Sequence, residues 1–164
     1  MTRWDLRSAT IRTAIRQIAW IVYILAFVTV VVSDKVRHDR LIQAMTLFDL
    51  GASQYDAKQY KLAVVSLGRS ATLDPTCVHT YKLLGISEAN TNEYARAVKH
   101  LKIAARRMTA DQEVFYFLGN AYICLNERND ACIAWKHATD CGTGGYADLA
   151  RQELAKWCNR VGTK

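Results

Sequence analysis

Thiols and imidazoles are the side chains with the most reactive chemistry in this 164-residue sequence. No two of its five cysteines form a Cys-x-x-Cys pair, which excludes the usual redox, haem-attachment and zinc motifs. Cys132, His137 and Cys141 lie close together in the sequence, but a plausible set of four metal ligands is lacking. We therefore expect no metal site, and we expect most cysteines to be small buried apolar residues.

Catalytic groupings are also missing from the pattern of residues. The four histidines are scattered, and none has a serine and an acid at a recognisable spacing. The glycine-rich run 142–145 follows no predicted strand, so it indicates a break between helices and not a phosphate-binding loop. The sequence predicts no enzyme, no cofactor and no small-molecule substrate.

A repeat of 34 residues organises the middle of the chain. Gly51, Gly85 and Gly119 each follow a leucine, and each is followed twelve residues later by an alanine. A large apolar residue comes four positions after that alanine, and a small residue three positions further on. The repeated residues are Ala63, Ala97 and Ala131, then Leu67, Leu101 and Trp135, then Ser70, Ala104 and Ala138. A fixed period of this length indicates stacked helical hairpins, in which the glycine lets the second helix approach closely.

This pattern resembles the tetratricopeptide repeat (TPR) family over residues 44–141, with Asp74-Pro75 closing the first repeat. Thr109 and Thr143 stand where the other two repeats would have the proline. The resemblance implies an all-α solenoid of three repeats, over 44–76, 77–110 and 111–141, and not an unrelated helical bundle. After the glycine run, residues 146–160 are predicted to form a capping helix, with Leu149, Leu154 and Trp157 facing inward.

The resemblance also implies that the first helix of each hairpin lines a concave groove that holds a partner segment. By register, the lining residues are Met45, Phe48, Ala52, Tyr55, His79, Lys82, Ile86, Asn90, Glu113, Tyr116, Asn120 and Ile123. Some of these residues would only pack the hairpins, Ile86 and Ile123 foremost. One subfamily binds acidic chaperone tails through a carboxylate clamp, but Phe48, Ala52 and Leu83 replace expected polar clamp residues here. Chaperone-tail binding is therefore not expected.

An uncharged apolar segment, residues 17–33, precedes the repeats. Its 17 residues would extend for about 25 Å as a helix, at the lower limit for crossing a bilayer. We predict a single-pass membrane anchor, with Trp20, Tyr23 and Phe27 in the membrane, followed by a helical connector at 34–43. A cleaved signal peptide is disfavoured because no small-x-small cleavage site follows Val32. A buried core helix would need a packing layer that so short a chain lacks.

The leader at 1–16 is basic, and Trp4, Ile11, Ile15 and Ile18 fall on one face of a helix. It is expected either to lie along the membrane surface, on anionic headgroups, or to be a solvated leader with orienting charges. Four Lys and Arg residues precede the anchor and three follow it directly. This small difference weakly favours an N-terminus on the inner side of the membrane. The repeats would then face the bacterial periplasm or the mitochondrial intermembrane space. In an oxidising compartment, Cys124 and Cys132 near one hairpin tip are candidates for a disulfide.

The net charge of +7 suits a protein near anionic lipid or an acidic partner, and no nucleic-acid motif accompanies it. Lys99, Lys102, Arg106 and Arg107 cluster on one helix, as a solvated face or as a docking patch. We expect a membrane-anchored scaffold that binds protein partners, as an accessory subunit or assembly factor of a membrane complex. A receptor that captures extended peptide segments and a self-assembling scaffold are the alternatives.

Overall fold

The computed structural model describes residues 3–158, and the side chains of residues 16, 17 and 19–158. These residues form seven α-helices and no strand, so the predicted all-α fold is confirmed. The helices are α1 Arg3–Asp56, α2 Tyr60–Leu73, α3 Val78–Asn90, α4 Tyr94–Ala105, α5 Gln112–Cys124, α6 Arg128–Asp140 and α7 Gly145–Trp157. The predicted amphipathic face of the leader, and the last two residues of the predicted capping helix, lie outside this description. The chain divides at Leu41–Ile42 into two units, which are described separately.

The first unit contains an apolar helical stretch whose described side chains are exposed. Trp20, Tyr23 and Phe27 are each more than 60% exposed. None of the apolar window is buried among the described residues, whereas the core helix of a soluble protein would be mostly buried. Within the described residues, this is the one helix long and apolar enough to cross a membrane, and a signal sequence meets the same criteria of length and composition.

The second unit is built from hairpins in which each helix packs on the next along the chain. The contacts run from α2 to α3 and onward without interruption to α7. The first helices also touch one another, α3 with α5 and α5 with α7, whereas the second helices α2, α4 and α6 do not. Contacts restricted to the first helices place α3, α5 and α7 on the inner side of a curved stack.

A glycine contact closes each hairpin. A Cβ atom added to Gly51 would lie 2.6 Å from Leu67 Cγ, and one added to Gly85 would lie 2.7 Å from Leu101 Cγ. The equivalent atom at Gly119 would enter the indole ring of Trp135. Leu67, Leu101 and Trp135 are fully buried, because the bare glycine backbone forms one wall of their pocket. The close approach expected from the repeat is therefore present in all three hairpins.

The turn inside each hairpin also recurs every 34 residues. Lys58, Asn92 and Asn126 have positive φ angles of 58°, 65° and 63°. In the second hairpin, the following amide, Glu93 N, donates to the Glu88 carbonyl at 2.9 Å. This left-handed residue ends one helix and starts the next within three positions, and asparagine tolerates the conformation well.

The capping helix α7 begins at Gly145, which has a positive φ angle, as do Gly142 and Gly144 before it. Ala147 and Ala150 are fully buried, and Leu154 and Trp157 pack against the core. The prediction that Leu149 faces inward is wrong, since its side chain is 40% exposed. The small alanines occupy the contact face because α7 packs closely on both α5 and α6.

The candidate disulfide between Cys124 and Cys132 is not the one that the structure contains. Cys132 on α6 is bonded to Cys158, which directly follows α7, and Cys124 is an exposed free thiol. The Cys132 side chain belongs to the face of α6 that packs on the capping helix, so its partner comes from the next element. The disulfide joins the capping helix to the third repeat.

Replacing Gly85 with alanine should destabilise the second unit by about 1–3 kcal/mol, because the new methyl group overpacks the contact with Leu101. Gly68→Ala is the matched control, since a Cβ there meets no atom within 4 Å. The control should stabilise the helix by about 0.5–1 kcal/mol. Thermal unfolding of the full chain in detergent, followed by circular dichroism, measures both. Equal effects at the two sites would contradict the proposed contact.

Removing the disulfide with the pair Cys132→Ser and Cys158→Ser should cost about 3.5 kcal/mol of stability, the loop-closure value for a sequence separation of 26. The same thermal unfolding experiment measures it. Cys124→Ser is the control and should leave the unfolding temperature unchanged. A loss in the control, with none in the pair, would indicate that the pairing is different.

Candidate partner-binding groove

The centre of the inner groove holds an ionic cluster made by two consecutive first helices. Lys82 on α3 lies 2.7 Å from Asp111 Oδ2 and 2.8 Å from Glu113 Oε2. All three side chains are about four-fifths buried. One ammonium group faces two carboxylates, so this cluster has one net negative charge. Partial burial strengthens such charge pairing relative to exposed ion pairs.

Asp111 connects the cluster to the local fold. Its Oδ1 accepts a hydrogen bond of 3.1 Å from Val114 N, so the side chain caps the N-terminus of α5. Its other oxygen accepts from Lys82. The capping geometry therefore holds one carboxylate oxygen toward the groove.

Tyrosines enclose the same cluster. The Tyr146 hydroxyl, near the start of α7, donates to Glu113 Oε1 at 2.9 Å, and the Tyr55 hydroxyl from α1 lies 3.5 Å from the same oxygen. The Tyr146 ring lies 5.5 Å from Tyr116 and 5.8 Å from Phe117, between ring centroids. Side chains from the first repeat, the third repeat and the capping helix thus meet at one carboxylate.

The protonation states reflect this packing. Burial, and then the negative charge of Glu113, raise the pKa of Tyr55 far above its ordinary value. Burial and the hydrogen bond to Glu113 raise the pKa of Tyr146 to about 12. Burial alone would lower the pKa of Lys82, but its bonds to Asp111 and Glu113 outweigh burial and raise it. Near neutral pH, both tyrosines are therefore hydrogen-bond donors and Lys82 is a cation.

Several residues expected to contact a partner are already engaged within the chain. Ile86 is fully buried in the core, so it does not line the groove surface and has the hairpin-packing role given as the alternative for it. It belongs to the face of α3 that packs between hairpins. Asn120 Oδ1 accepts from Trp135 Nε1 at 3.1 Å, and Ile123 packs against the same core. These contacts serve the third hairpin.

The other predicted groove residues keep an accessible surface. Phe48, Ala52, Tyr55, Lys82, Glu113 and Tyr116 are only partly buried, while Met45, His79 and Asn90 are exposed. The Asn90 amide donates to the Ile86 carbonyl at 2.8 Å. Beside the ionic cluster lies an open cavity of about 630 Å³, lined by residues 107–113 and Tyr146. A partner segment would meet this cavity and the aromatic rings together.

Sequence reasoning missed Asp111 and Tyr146. Asp111 could have been found from the sequence, because an aspartate directly before a helix is a common N-cap residue. Tyr146 had no such signal, because its place in the groove depends on how the glycine run turns the chain back toward α5.

No family model matches the chain, and no curated protein matches it. Solved structures do. The Arabidopsis OM64 TPR domain has a TM-score of 0.65 at 17% identity, covering 71% of this chain and 98% of that chain. The first TPR of Spaghetti (RPAP3), bound to the HSP90 peptide SRMEEVD, has a TM-score of 0.65 at 15% identity, covering 74% and 94%. The crystal structure of MamA has a TM-score of 0.61 at 24% identity, covering 74% of each chain.

These similarities and the three glycine-closed hairpins define the class of protein: the second unit has the tetratricopeptide repeat fold. The resemblance inferred from the repeated residues is thereby confirmed at the level of fold.

Alkaline unfolding should report the tyrosine contacts. A folded-state pKa of Tyr146 near 12, above the unfolded value near 10, stabilises the fold below about pH 10. That contribution is lost as the pH rises from about 10 to about 12. Tyr146→Phe should therefore show a shallower fall of unfolding temperature across this range than the unchanged chain. An identical fall in both proteins would contradict the contact with Glu113.

Proposed function

We propose that this chain is a membrane-anchored TPR scaffold that binds protein partners, as an accessory subunit or assembly factor of a membrane complex. The single observation that supports it most is an exposed apolar helical stretch in the same chain as a TPR-fold stack. A bilayer would remove that apolar surface from water. The stack, with its inner groove, would be the part that recognises the partner.

The disulfide between Cys132 and Cys158 supports the side of the membrane proposed for the repeats. Disulfides persist in oxidising compartments such as the bacterial periplasm. The Lys and Arg counts, four before the anchor and three after it, favour an N-terminus on the opposite, inner side. Both observations point to repeats in the periplasm or in the mitochondrial intermembrane space.

The ionic cluster defines the chemistry of the proposed partner. The solved neighbour RPAP3 is bound to an acidic peptide, SRMEEVD. Here Lys82 is already neutralised by Asp111 and Glu113, so an acidic tail would meet a net negative groove. We propose instead a segment with apolar side chains that stack on Tyr116 and Phe117, and with basic or amide groups near Glu113.

Purification of the full chain from its native membranes in mild detergent, followed by mass spectrometry, tests this proposal. The expected result is a stoichiometric membrane-protein partner. Tyr116→Ser should reduce its recovery at least tenfold, because it removes part of the aromatic wall of the groove. Lys136→Ser, at an exposed position on α6, is the control and should retain the partner.

Recovery of the chain as a lone monomer would argue against a resident subunit. Extraction of the chain by alkaline carbonate, without detergent, would argue against the anchor. Equal partner recovery from both variants, at unchanged unfolding temperature, would exclude the inner groove as the contact.

A further inference from the structure

The outer surface of the first repeat contains a groove that differs from the partner-binding groove. It is an open cavity of about 690 Å³ between α2 and the start of α4, called the outer groove below. One wall, on α2, consists of Lys61, Val64, Val65, Gly68, Arg69 and Thr72. The other consists of Thr91 and Glu93 in the turn before α4, and of Arg96 on α4. The α2 residues follow the spacing of one helix face over three turns, about 16 Å long. This is the pattern with which helices of the stack contact a neighbouring helix.

The outer groove is apolar where the corresponding surface of the next repeat is charged. Val65 is 59% exposed, and the adjacent Leu62 is 53% exposed. The residues 34 positions after Leu62, Val65 and Gly68 are Arg96, Lys99 and Lys102. In the middle repeat, the outer face therefore has basic residues at these three positions, as expected of a surface in water. The first repeat exposes aliphatic side chains and a glycine in their place.

Gly68 has no packing role within the chain. A Cβ added there would meet no atom within 4 Å, in contrast to the three glycines that close the hairpins. Glycine in a helix interior is less favourable than alanine, so this residue weakens α2 without an internal compensation. It leaves the floor of the outer groove bare between Val64 and Val65 on one side and Thr72 on the other. A bare backbone at that point allows another helix to approach closely.

The rim of the outer groove is positively charged. Lys61 and Arg69 are exposed, and neither forms an ion pair with any residue that the structure describes. Arg96 is held at the rim by the fully buried Glu88, 3.1 Å away, and by Glu93. Two unpaired cations flank an apolar floor, which is complementary to an apolar segment flanked by acids.

From this geometry we infer that the outer groove binds a helix of a partner protein, with small or aliphatic residues on one face and acidic residues beside them. A helix fits because the α2 wall presents one helix face over about three turns, and Glu93 and Arg96 bound the groove on the other side. A flat bilayer surface would reach the rim but not the glycine floor. The inference adds a second contact surface to the proposed scaffold and does not depend on the inner groove.

A designed peptide tests the inference directly. The probe is a fluorescent helical peptide of about four turns, with alanine and leucine on one face and glutamate on the flanks. The matched peptide has lysine in place of each glutamate. Each is titrated by fluorescence anisotropy against the full chain in phosphatidylcholine nanodiscs, with empty nanodiscs as the blank. The acidic peptide should bind at least tenfold more tightly than the basic one.

Two variant pairs locate the binding. Gly68→Leu should weaken the acidic peptide at least tenfold by filling the floor, while Lys102→Leu, at the equivalent position of the next repeat, should not. Arg69→Glu should weaken it similarly, and Lys102→Glu, with the same change of charge, should leave it within about twofold. Unfolding temperatures are measured for all four variants. The bare space at Gly68 predicts that Gly68→Leu keeps its fold.

The same measurements contain the outcomes that overturn the inference. Equal binding of both peptides, or binding unaffected by Gly68→Leu, would exclude the outer groove. Binding to phosphatidylglycerol vesicles without binding to the peptide would assign the basic rim to lipid. Concentration-dependent association of the chain with itself, lost in Arg69→Glu, would assign the groove to a second copy. Each result is independent of partner recovery by Tyr116→Ser. The proposals for the inner groove and for the outer groove can therefore be contradicted separately.

Discussion

The close approach of two helices at a glycine is the interaction on which the repeat domain depends. At Gly51, Gly85 and Gly119 a large side chain from the second helix occupies the space that a Cβ atom would need. Leu67, Leu101 and Trp135 are fully buried because of it. The two helices of each hairpin therefore lie too close together for a side chain at the glycine position. The same contact gives all three hairpins the same spacing between helices. A repeated hairpin of one geometry can only stack into a curved array.

Curvature brings side chains from distant parts of the chain together on the inner side. Tyr55 and Tyr146 are separated by most of the repeat domain, yet both hydroxyls approach Glu113. Lys82 forms ion pairs with Asp111 and Glu113. These side chains of the chain itself therefore occupy part of the inner groove. Such a groove is preorganised, with few side chains left to order on binding. Its selectivity would come from the negative cluster and the aromatic rings beside it.

The inner groove differs from the outer surface of the first repeat in how its side chains are paired. In the inner groove, Lys82, Asp111 and Glu113 have ionic partners within the chain. Outside, Leu62 and Val65 are exposed and Gly68 has no neighbour. The described part of the chain also has an apolar helical stretch of which nothing is buried, and exposed apolar surface of this kind is typical of contact sites for other molecules. The proposed scaffold in a membrane complex would account for both features.

The sequence alone determined what depends on neighbours along the chain: the helices, their 34-residue period, the glycine contacts and the apolar segment near the N-terminus. Local periodicity carries this information because a helix face is defined by residues three and four apart. The tertiary structure decided what depends on the rotation of one helix against another. Ile86 turns into the core and not into the groove, and Cys132 meets Cys158 and not Cys124. Likewise, Tyr146 reaches Glu113 only because three residues with positive φ angles fold α7 back, a direction that no spacing of residue types encodes.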